Sequence, residues 1–248
     1  MFMLHLQKRD LNIFILLNSL WILTSKNIKN IVSHNTELKT LNLRLNSLKK
    51  EWYLKEVNKK DRRKTDYLIY QLTTDKILFS RIYWETWYEL NSIQYNLSYL
   101  LYNHQLFLWN LISYFLWKIR EKNESFELDF NKIYWSKQVQ QLILREQRSK
   151  ENKYNYLDKV PIPDFMIENN NILYCFELEN MNSYSQFKNK MILYNDLEIY
   201  KNNENFLPLF KDKKIVLIIW CRATKKEKYE EIINENLNWV KTLIKTID

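Results

Sequence analysis

The chain contains 248 residues and no glycine, and this absence restricts its fold more than any other feature of the sequence. Glycine adopts positive φ without a steric penalty, so turns that need this conformation must use asparagine, aspartate or lysine instead. The glycine-rich loops that cradle phosphate groups cannot form either. P-loop nucleotide enzymes and Rossmann-type dehydrogenases are therefore excluded.

The two cysteines and the apolar segments bound the cellular setting. Cys175 and Cys221 each lie in an apolar run without metal-ligand spacing, which predicts buried thiols in a reducing compartment. The first ten residues lack the features of a secretory signal, and the apolar stretch Leu106–Trp117 is only about half the length of a membrane-spanning helix. We expect a cytoplasmic chain with no membrane partner.

The positive charge of the chain is concentrated at one end. Residues 1–76 contain 15 lysines and arginines against 7 aspartates and glutamates, a net charge of +8, whereas the remaining residues contain 23 against 22, a net charge of +1. Phosphate contacts supply most of the sequence-independent affinity of proteins for nucleic acid. This asymmetry predicts that the N-terminal part binds nucleic acid.

Residues 1–76 follow the pattern of three helices and a two-stranded hairpin. Asp10 can cap the first helix, and Thr24 or Ser25 can cap the second. Thr36 can cap the third helix. Beyond that helix the apolar period changes to two, which is typical of strands.

The third helix and the hairpin loop supply candidate DNA contacts. The helix has an apolar face of four leucines: Leu38, Leu41, Leu45 and Leu48. Its opposite face carries polar side chains suited to base edges and phosphates: Lys39, Thr40, Asn42 and Arg44. The loop at 58–64 is strongly basic through Lys59, Lys60, Arg62, Arg63 and Lys64. Together they predict a winged helix-turn-helix domain on double-stranded DNA, against the alternatives of a plain packing helix and an ordinary soluble hairpin tip.

The rest of the chain predicts a helical connector at 77–124, in which aromatic side chains pack helices together, and an α/β domain at 125–248. The overall class is α+β. The α/β domain is expected to contain a small mixed sheet with the apolar segment 213–220 as its central strand. The predicted order is a strand at 126–130, a helix at 135–148, strands at 162–168 and 172–179, a helix at about 183–201, the strand at 213–220 and a last helix at about 226–247.

Acidic residues mark two of these predicted strands. Pro163-Asp164 opens one strand, and Glu177-Leu178-Glu179 ends the next. Adjacent antiparallel strands would bring Asp164 close to Glu177, and paired carboxylates of this kind can hold Mg²⁺ for phosphodiester hydrolysis. The spacing resembles the restriction-endonuclease-like pattern PD…(D/E)-x-K, in which the lysine positions or activates the water.

The chain departs from that pattern at the lysine position, which Glu179 occupies. Lys188 or Lys190 on the following helix is the candidate replacement for the missing cation. We therefore assign Asp164, Glu177, Glu179, Lys188 and Lys190 as candidate catalytic residues, with Asp164 and Glu177 as metal ligands. A carboxylate pair with a purely structural role remains the alternative.

A longer series of short motifs runs along most of the chain. The motifs in chain order are Arg9-Asp10, Leu23-Thr24, Leu72-Thr73, Trp135-Ser136, Pro163-Asp164, Glu177 with Glu179, Ser183 and Tyr194. Their order and spacing resemble the replication-relaxation family of plasmid and conjugative-element proteins. The family's acidic residue after Trp-Ser is replaced by Lys137 and Gln138, and its lysine before Ser183 by Asn182; Glu146 is a candidate for the missing acid. The resemblance implies an N-terminal winged helix and a C-terminal restriction-endonuclease-like domain.

These expectations combine into a DNA-binding protein of a mobile element, acting in plasmid replication, mobilisation or nicking. Its C-terminal domain would be a Mg²⁺-dependent nuclease or a degenerate form of one. One alternative is a non-enzymatic transcription or copy-number regulator that forms a homodimer. The other is an organellar or ribosome-associated RNA-binding protein.

Overall fold

In a computed structural model, the chain has a mixed α+β fold with seven α-helices and two β-sheets, one of five strands, in its described part. It divides into two compact units, Met1–Asn131 and Lys132–Asp248. The structure describes residues 5–20, 22–57, 68–73, 79–80, 83–84, 99–122, 126–129, 132–149, 160–179, 183–201, 208–238 and 240–247.

The described part of the first unit includes four helices with defined bounds and a three-stranded sheet. Its elements are α1 (Lys8–Leu20), β1 (Ile22–Thr24), α2 (Ser25–Val32), α3 (Leu38–Lys50), β2 (Leu54–Glu56), β3 (Ile69–Leu72) and α4 (Tyr99–Lys122). The strands are antiparallel in the order β1-β3-β2. The short strand β1, which the sequence did not predict, therefore joins the predicted hairpin as its third strand.

The predicted cap of α2 is confirmed and also connects α2 to α4. The Thr24 hydroxyl accepts from Asn27 N at 3.1 Å, and Thr24 N donates to Asn27 Oδ1 at 3.0 Å, which completes a capping box. The Asn27 amide then donates to Asn110 Oδ1 at 2.8 Å and Ser113 Oγ at 3.1 Å on α4. Helix α4, which lies within the region predicted as a connector, thus packs on α2 within the first unit.

The predicted caps of α1 and α3 are wrong. Helix α1 begins at Lys8, and Asp10 lies inside its first turn, where its carboxylate accepts from Gln7 N at 2.8 Å. Helix α3 begins after Glu37, whose side chain makes no capping hydrogen bond. Thr36 instead donates its backbone N–H to Ser33 O at 2.8 Å and closes the turn before the helix.

A residue in the left-handed conformation follows the end of α3. Trp52 has φ 63°, Trp52 N donates to Lys49 O, and Tyr53 N donates to Leu48 O. These paired bonds form a Schellman motif, whose left-handed position glycine normally occupies. Here a tryptophan with 78% of its surface exposed takes that position.

The second unit is built on a five-stranded mixed sheet. Its elements are β4 (Ile133–Trp135), α5 (Ser136–Ser149), β5 (Phe165–Asn169), β6 (Ile172–Glu179), α6 (Tyr184–Tyr200), β7 (Lys214–Arg222), a 3₁₀ turn (Ala223–Lys225), α7 (Lys226–Asn236) and β8 (Lys241–Ile247). The strand order is β4-β5-β6-β7-β8. Strands β4, β5 and β6 pair antiparallel, whereas β6, β7 and β8 pair parallel.

Asparagine builds the tight turn between β5 and β6, as the lack of glycine predicts. Asn170 and Asn171 have φ 47° and 60°, and they link the paired residues Asn169 and Ile172. Two consecutive positive φ values are typical of the type I′ hairpin turn, whose twist matches that of the strands. This turn sets the register that pairs Phe165 with Phe176 at the other end of the hairpin.

Three predictions for this unit differ from the structure. The last predicted helix ends at Asn236, and Lys241–Ile247 forms β8, since its backbone pairs with β7. The described residues 126–129 have no strand structure. The apolar segment in β7 lies inside the sheet between two parallel neighbours, but the middle position belongs to β6.

One face of this sheet forms the core of the unit with residues from the helices. Alternate residues of β6 on this face, Leu173 and Cys175, pack with Phe187, Met191 and Tyr194 of α6. Cys175 and Cys221 are both buried free thiols, as predicted. The next alternate positions on β6 are Glu177 and Glu179, so strand periodicity turns both carboxylates towards the same helix-covered face.

Candidate functional site

The exposed face of α3 is the first candidate site. Lys39 and Thr40 are exposed, and the neighbouring Leu43 has 63% of its surface exposed. Asn42 is half-buried, and its Oδ1 atom has no hydrogen-bond partner among the described residues. The leucines predicted for the opposite face lie inward, and Leu41, Leu45 and Leu48 are fully buried.

Arg44 differs from the other predicted DNA contacts because its guanidinium binds a buried carboxylate. Arg44 Nε donates to Asp10 Oδ1 at 3.1 Å, and Nη2 donates to both Asp10 Oδ2 and His5 O. The Asp10 side chain is fully buried. The hydrogen bond to Asp10 raises the pKa of Arg44, so this residue joins α3 to α1 as a permanent cation.

The predicted wing loop, with Lys59, Lys60, Arg62, Arg63 and Lys64, lies outside the described residues. The strands on either side of it are described. Glu56 at the end of β2 pairs with Tyr70 of β3, so the two chain segments leading to the loop are adjacent.

The second candidate site lies where β5 begins and β6 ends. Because Phe165 pairs with Phe176, the preceding Asp164 stands opposite Glu177. Leu178 N donates to Asp164 Oδ2 at 2.8 Å. Ser136 N at the start of α5 donates to Asp164 O at 3.3 Å, so backbone bonds hold Asp164 from two elements.

Glu177 is the centre of this second site. Its side chain is fully buried; Lys190 Nζ donates to Oε2 at 2.6 Å, and Tyr194 OH donates to Oε1 at 2.7 Å. Glu179 Oε1 lies 3.9 Å from the same ammonium. We name Asp164, Glu177, Glu179, Lys190 and Tyr194 the carboxylate–lysine cluster.

The structure separates the two lysines predicted as replacements for the missing cation. Lys190 reaches the cluster and keeps only 22% of its side chain exposed, whereas Lys188 is exposed on α6. Helical spacing explains the difference, because Phe187, Lys190 and Tyr194 lie three and four residues apart on one face. This signal was available in the sequence and would have selected Lys190.

The two charges of the central pair respond differently to their surroundings. Burial, together with the nearby carboxylates Asp164 and Glu179, raises the pKa of Glu177 to about 8 even though Lys190 acts to lower it. Burial lowers the pKa of Lys190, but the three carboxylates outweigh burial and raise it overall. Lys190 therefore remains an ammonium ion, while Glu177 is the group that exchanges its proton.

Two further groups lie against Glu177. Burial raises the pKa of the Tyr194 hydroxyl well above its ordinary value, and the charge of Glu177 raises it further. Burial and Glu177 likewise raise the pKa of the Cys175 thiol. Both groups stay protonated at neutral pH, so Tyr194 acts as a hydrogen-bond donor that holds Glu177 in place.

The donor set of the cluster suits a hard divalent cation. Mg²⁺ is commonly held by one or two carboxylates together with waters and substrate phosphates, and Asp164 and Glu177 supply two such carboxylates. Within the described ranges, no group of three or more histidine, cysteine, aspartate or glutamate side chains is arranged to hold a metal ion. The side chain of Glu146, the predicted extra acid, lies outside the described part of the structure.

In the part of the chain that the structure describes, none of the helices combines the length and the apolar character needed to cross a membrane.

No family model matches the sequence, and no curated protein and no solved structure matches it either.

Proposed function

We propose that this chain is a DNA-binding protein of a mobile element, whose second unit hydrolyses phosphodiester bonds with a divalent cation. The observation that carries the proposal is the meeting of Asp164, Glu177 and Lys190 at the ends of β5 and β6. Two carboxylates and an ammonium are the side chains that the restriction-endonuclease-like resemblance implies. The mixed sheet that carries Asp164 and Glu177 also supports a restriction-endonuclease-like second unit.

In this proposal the first unit is a winged helix that docks α3 on duplex DNA. The order of three helices and a β1-β3-β2 sheet supports it, as does the exposure of Lys39 and Thr40 on α3. The basic segment 58–64 between β2 and β3 would contact the DNA backbone as the wing. The Asp10–Arg44 pair links α3 to α1.

Asp164 and Glu177 would hold Mg²⁺. When bound, such a cation supplies charge that polarises a phosphodiester oxygen and lowers the pKa of a water. Lys190 would place its ammonium beside the phosphate, and its partial exposure leaves a route to the DNA. Tyr194 would keep Glu177 oriented through the bond to Oε1.

Cleavage of a supercoiled plasmid tests the enzymatic half of the proposal. We expect Mg²⁺-dependent conversion to the nicked form by the full chain, and a loss of at least about 100-fold in Asp164→Asn, Glu177→Gln and Lys190→Met. Lys188→Met is the matched control, since it removes an exposed cation two residues away on the same helix. It should nick at the rate of the unaltered protein.

A gel shift with duplex DNA tests the binding half. The double substitution Lys39→Ala with Thr40→Ala should weaken duplex binding, whereas Asp164→Asn should leave duplex binding intact. Affinity should fall as salt rises, by about 0.9 log unit per log unit of salt for each phosphate contact. A salt-independent affinity, or a preference for structured RNA over duplex DNA, contradicts the winged-helix proposal.

A non-enzymatic DNA-binding regulator is the second candidate, and one observation favours it. Both carboxylate oxygens of Glu177 accept hydrogen bonds from side chains of α6, an arrangement that also suits a purely structural role. A regulator of this kind would bind duplex DNA but leave the plasmid intact at every Mg²⁺ concentration. Sedimentation analysis would then show whether it forms the homodimer expected of such a regulator.

A further inference from the structure

A cavity of about 450 Å³ lies in the first unit, between the connection of α2 to α3 and the end of α4. Its walls are His34 and Asn35, from the connection between α2 and α3, and Trp117, Arg120 and Glu121, from the last turns of α4. The three α4 residues are spaced by three and four, so they share one face of the helix. The volume falls within the range of small-molecule sites, roughly 300–1,000 Å³.

Arg120 is a buried cation in the wall of this cavity. Only 9% of the residue is exposed; Nη1 donates to Asn30 O at 2.6 Å, and Nε has no hydrogen-bond partner among the described residues. Burial lowers the pKa of Arg120. Since a guanidinium carries five N–H donors in a fork, an anion in the cavity would find donors that the contact with Asn30 does not use.

The described residues supply no carboxylate partner for this charge. The nearest acid in the wall, Glu121, is bound to Lys118 at 2.7 Å. A buried charge without a counter-ion destabilises a protein strongly, and an anion in the cavity would remove that cost.

The remaining wall residues are suited to a phosphate and an aromatic ring. Burial, Arg120 and Lys29 lower the pKa of His34, so its imidazole is neutral at pH 7 and can donate one N–H. Trp117 offers an indole ring, and Lys118 Nζ lies 4.2 Å from its centroid.

We propose that this cavity binds a nucleotide, with its phosphate on Arg120 and its base against Trp117. A guanidinium binds phosphate through parallel hydrogen bonds, and a base stacks on an indole ring without sequence preference. The nucleotide comes either from a free mononucleotide or from an unpaired end of a DNA strand, which present the same chemistry. Only the second source rests on the proposed DNA-binding function.

Isothermal titration of the full chain with dAMP, inorganic phosphate and a 5′-phosphorylated single-stranded oligonucleotide tests the inference. Arg120→Gln should weaken dAMP binding roughly 30-fold or more, and Trp117→Leu roughly 10-fold. Lys122→Gln, which removes an exposed cation at the end of the same helix, should bind dAMP normally. Trp117→Leu should leave the weaker binding of inorganic phosphate unchanged.

The titrations of the variants distinguish a nucleotide site at Arg120 from nonspecific binding. Binding of dAMP or of the oligonucleotide, lost in Arg120→Gln, supports the site, and the ligand that binds more tightly identifies the source. If Arg120→Gln does not fold, Trp117→Leu and His34→Ala carry the test. Binding that is equal in all variants, or absent for every ligand, overturns the inference.

The result is also distinguishable from a failure of the proposed function. The double variant Lys39→Ala, Thr40→Ala should lose duplex binding and retain dAMP binding. A protein that binds dAMP but no duplex DNA would refute the winged-helix proposal alone. A protein that binds duplex DNA but no nucleotide would refute the cavity alone.

Discussion

Each unit contains a buried carboxylate paired with a cation from a helix, and the two pairs behave differently. In the first unit Asp10 is fully buried against Arg44, and in the second Glu177 is fully buried against Lys190. The groups that bind Asp10 are donors, namely the Arg44 guanidinium and Gln7 N. Glu177 instead lies near two further carboxylates, Asp164 and Glu179, which raise its pKa.

Burial alone therefore does not determine what an ion pair does. Arg44 compensates Asp10 with a planar fork, and the pair joins two helices as a fixed element of the fold. Lys190 brings one positive charge to three carboxylates, so the second cluster has an excess of negative charge. Such a cluster attracts further protons or cations, whereas in the first pair one positive charge balances one negative charge.

Breaking the first pair should have a large effect on stability. Arg44→Met should lower the free energy of unfolding by about 3 kcal/mol, because it leaves the Asp10 carboxylate buried without its partner. Urea denaturation of the full chain, followed by circular dichroism, measures the change. Lys39→Met removes an exposed cation from the same helix and should change stability by no more than about 0.5 kcal/mol. Equal losses in the two variants would show that the Asp10–Arg44 link is as weak as a surface ion pair.

The second pair should reveal itself through pH. The raised pKa of Glu177 means that the folded chain keeps a proton which the unfolded chain releases. Its contribution to stability is therefore complete below the unfolded pKa and is lost as pH rises from about 5 through about 8, with a slope of at most about 1.4 kcal/mol per pH unit. Thermal denaturation across this range should show the decline, and Glu177→Gln should remove it.

Glu168 offers a matched control for the pH experiment. It is also a buried glutamate of the sheet, but Lys213 and Lys132 outweigh the effect of burial and lower its pKa. Its titration is complete below the tested range, so Glu168→Gln should leave the slope between pH 5 and 8 unchanged. A slope that survives in Glu177→Gln would mean that another group holds the proton.

The two clusters also show how far local sequence patterns reach. Leucine spacing predicted the buried side of α3, and Ser183 begins the predicted helix α6 with a capping box. The same spacing distinguishes Lys190 from Lys188. These features depend on residues within one or two helical turns, which is the range over which backbone geometry fixes side-chain direction.

Features that depend on distant chain segments could not be predicted. Arg44 was predicted to face DNA from its place on the polar face of α3. The helix pattern could not reveal its partner, since Asp10 lies 34 positions away in the sequence. The segment Lys241–Ile247 was predicted as the end of a helix. Its strand conformation depends on parallel pairing with β7, which the local pattern does not contain. In both cases a tertiary contact outweighs the local pattern.

The smallest expected effect concerns the left-handed residues that replace glycine in the two units. Trp52 in the first unit and Asp212 in the second have φ 63° and 56°. Aspartate tolerates this conformation because its side chain can bond locally, whereas tryptophan has no such compensation. Trp52→Gly should therefore raise the free energy of unfolding by about 1 kcal/mol, and Asp212→Gly by only a few tenths, as measured by urea denaturation. If Trp52→Gly instead destabilises the chain, contacts of the exposed indole outweigh the strain at the end of α3, and the absence of glycine has no cost at this turn.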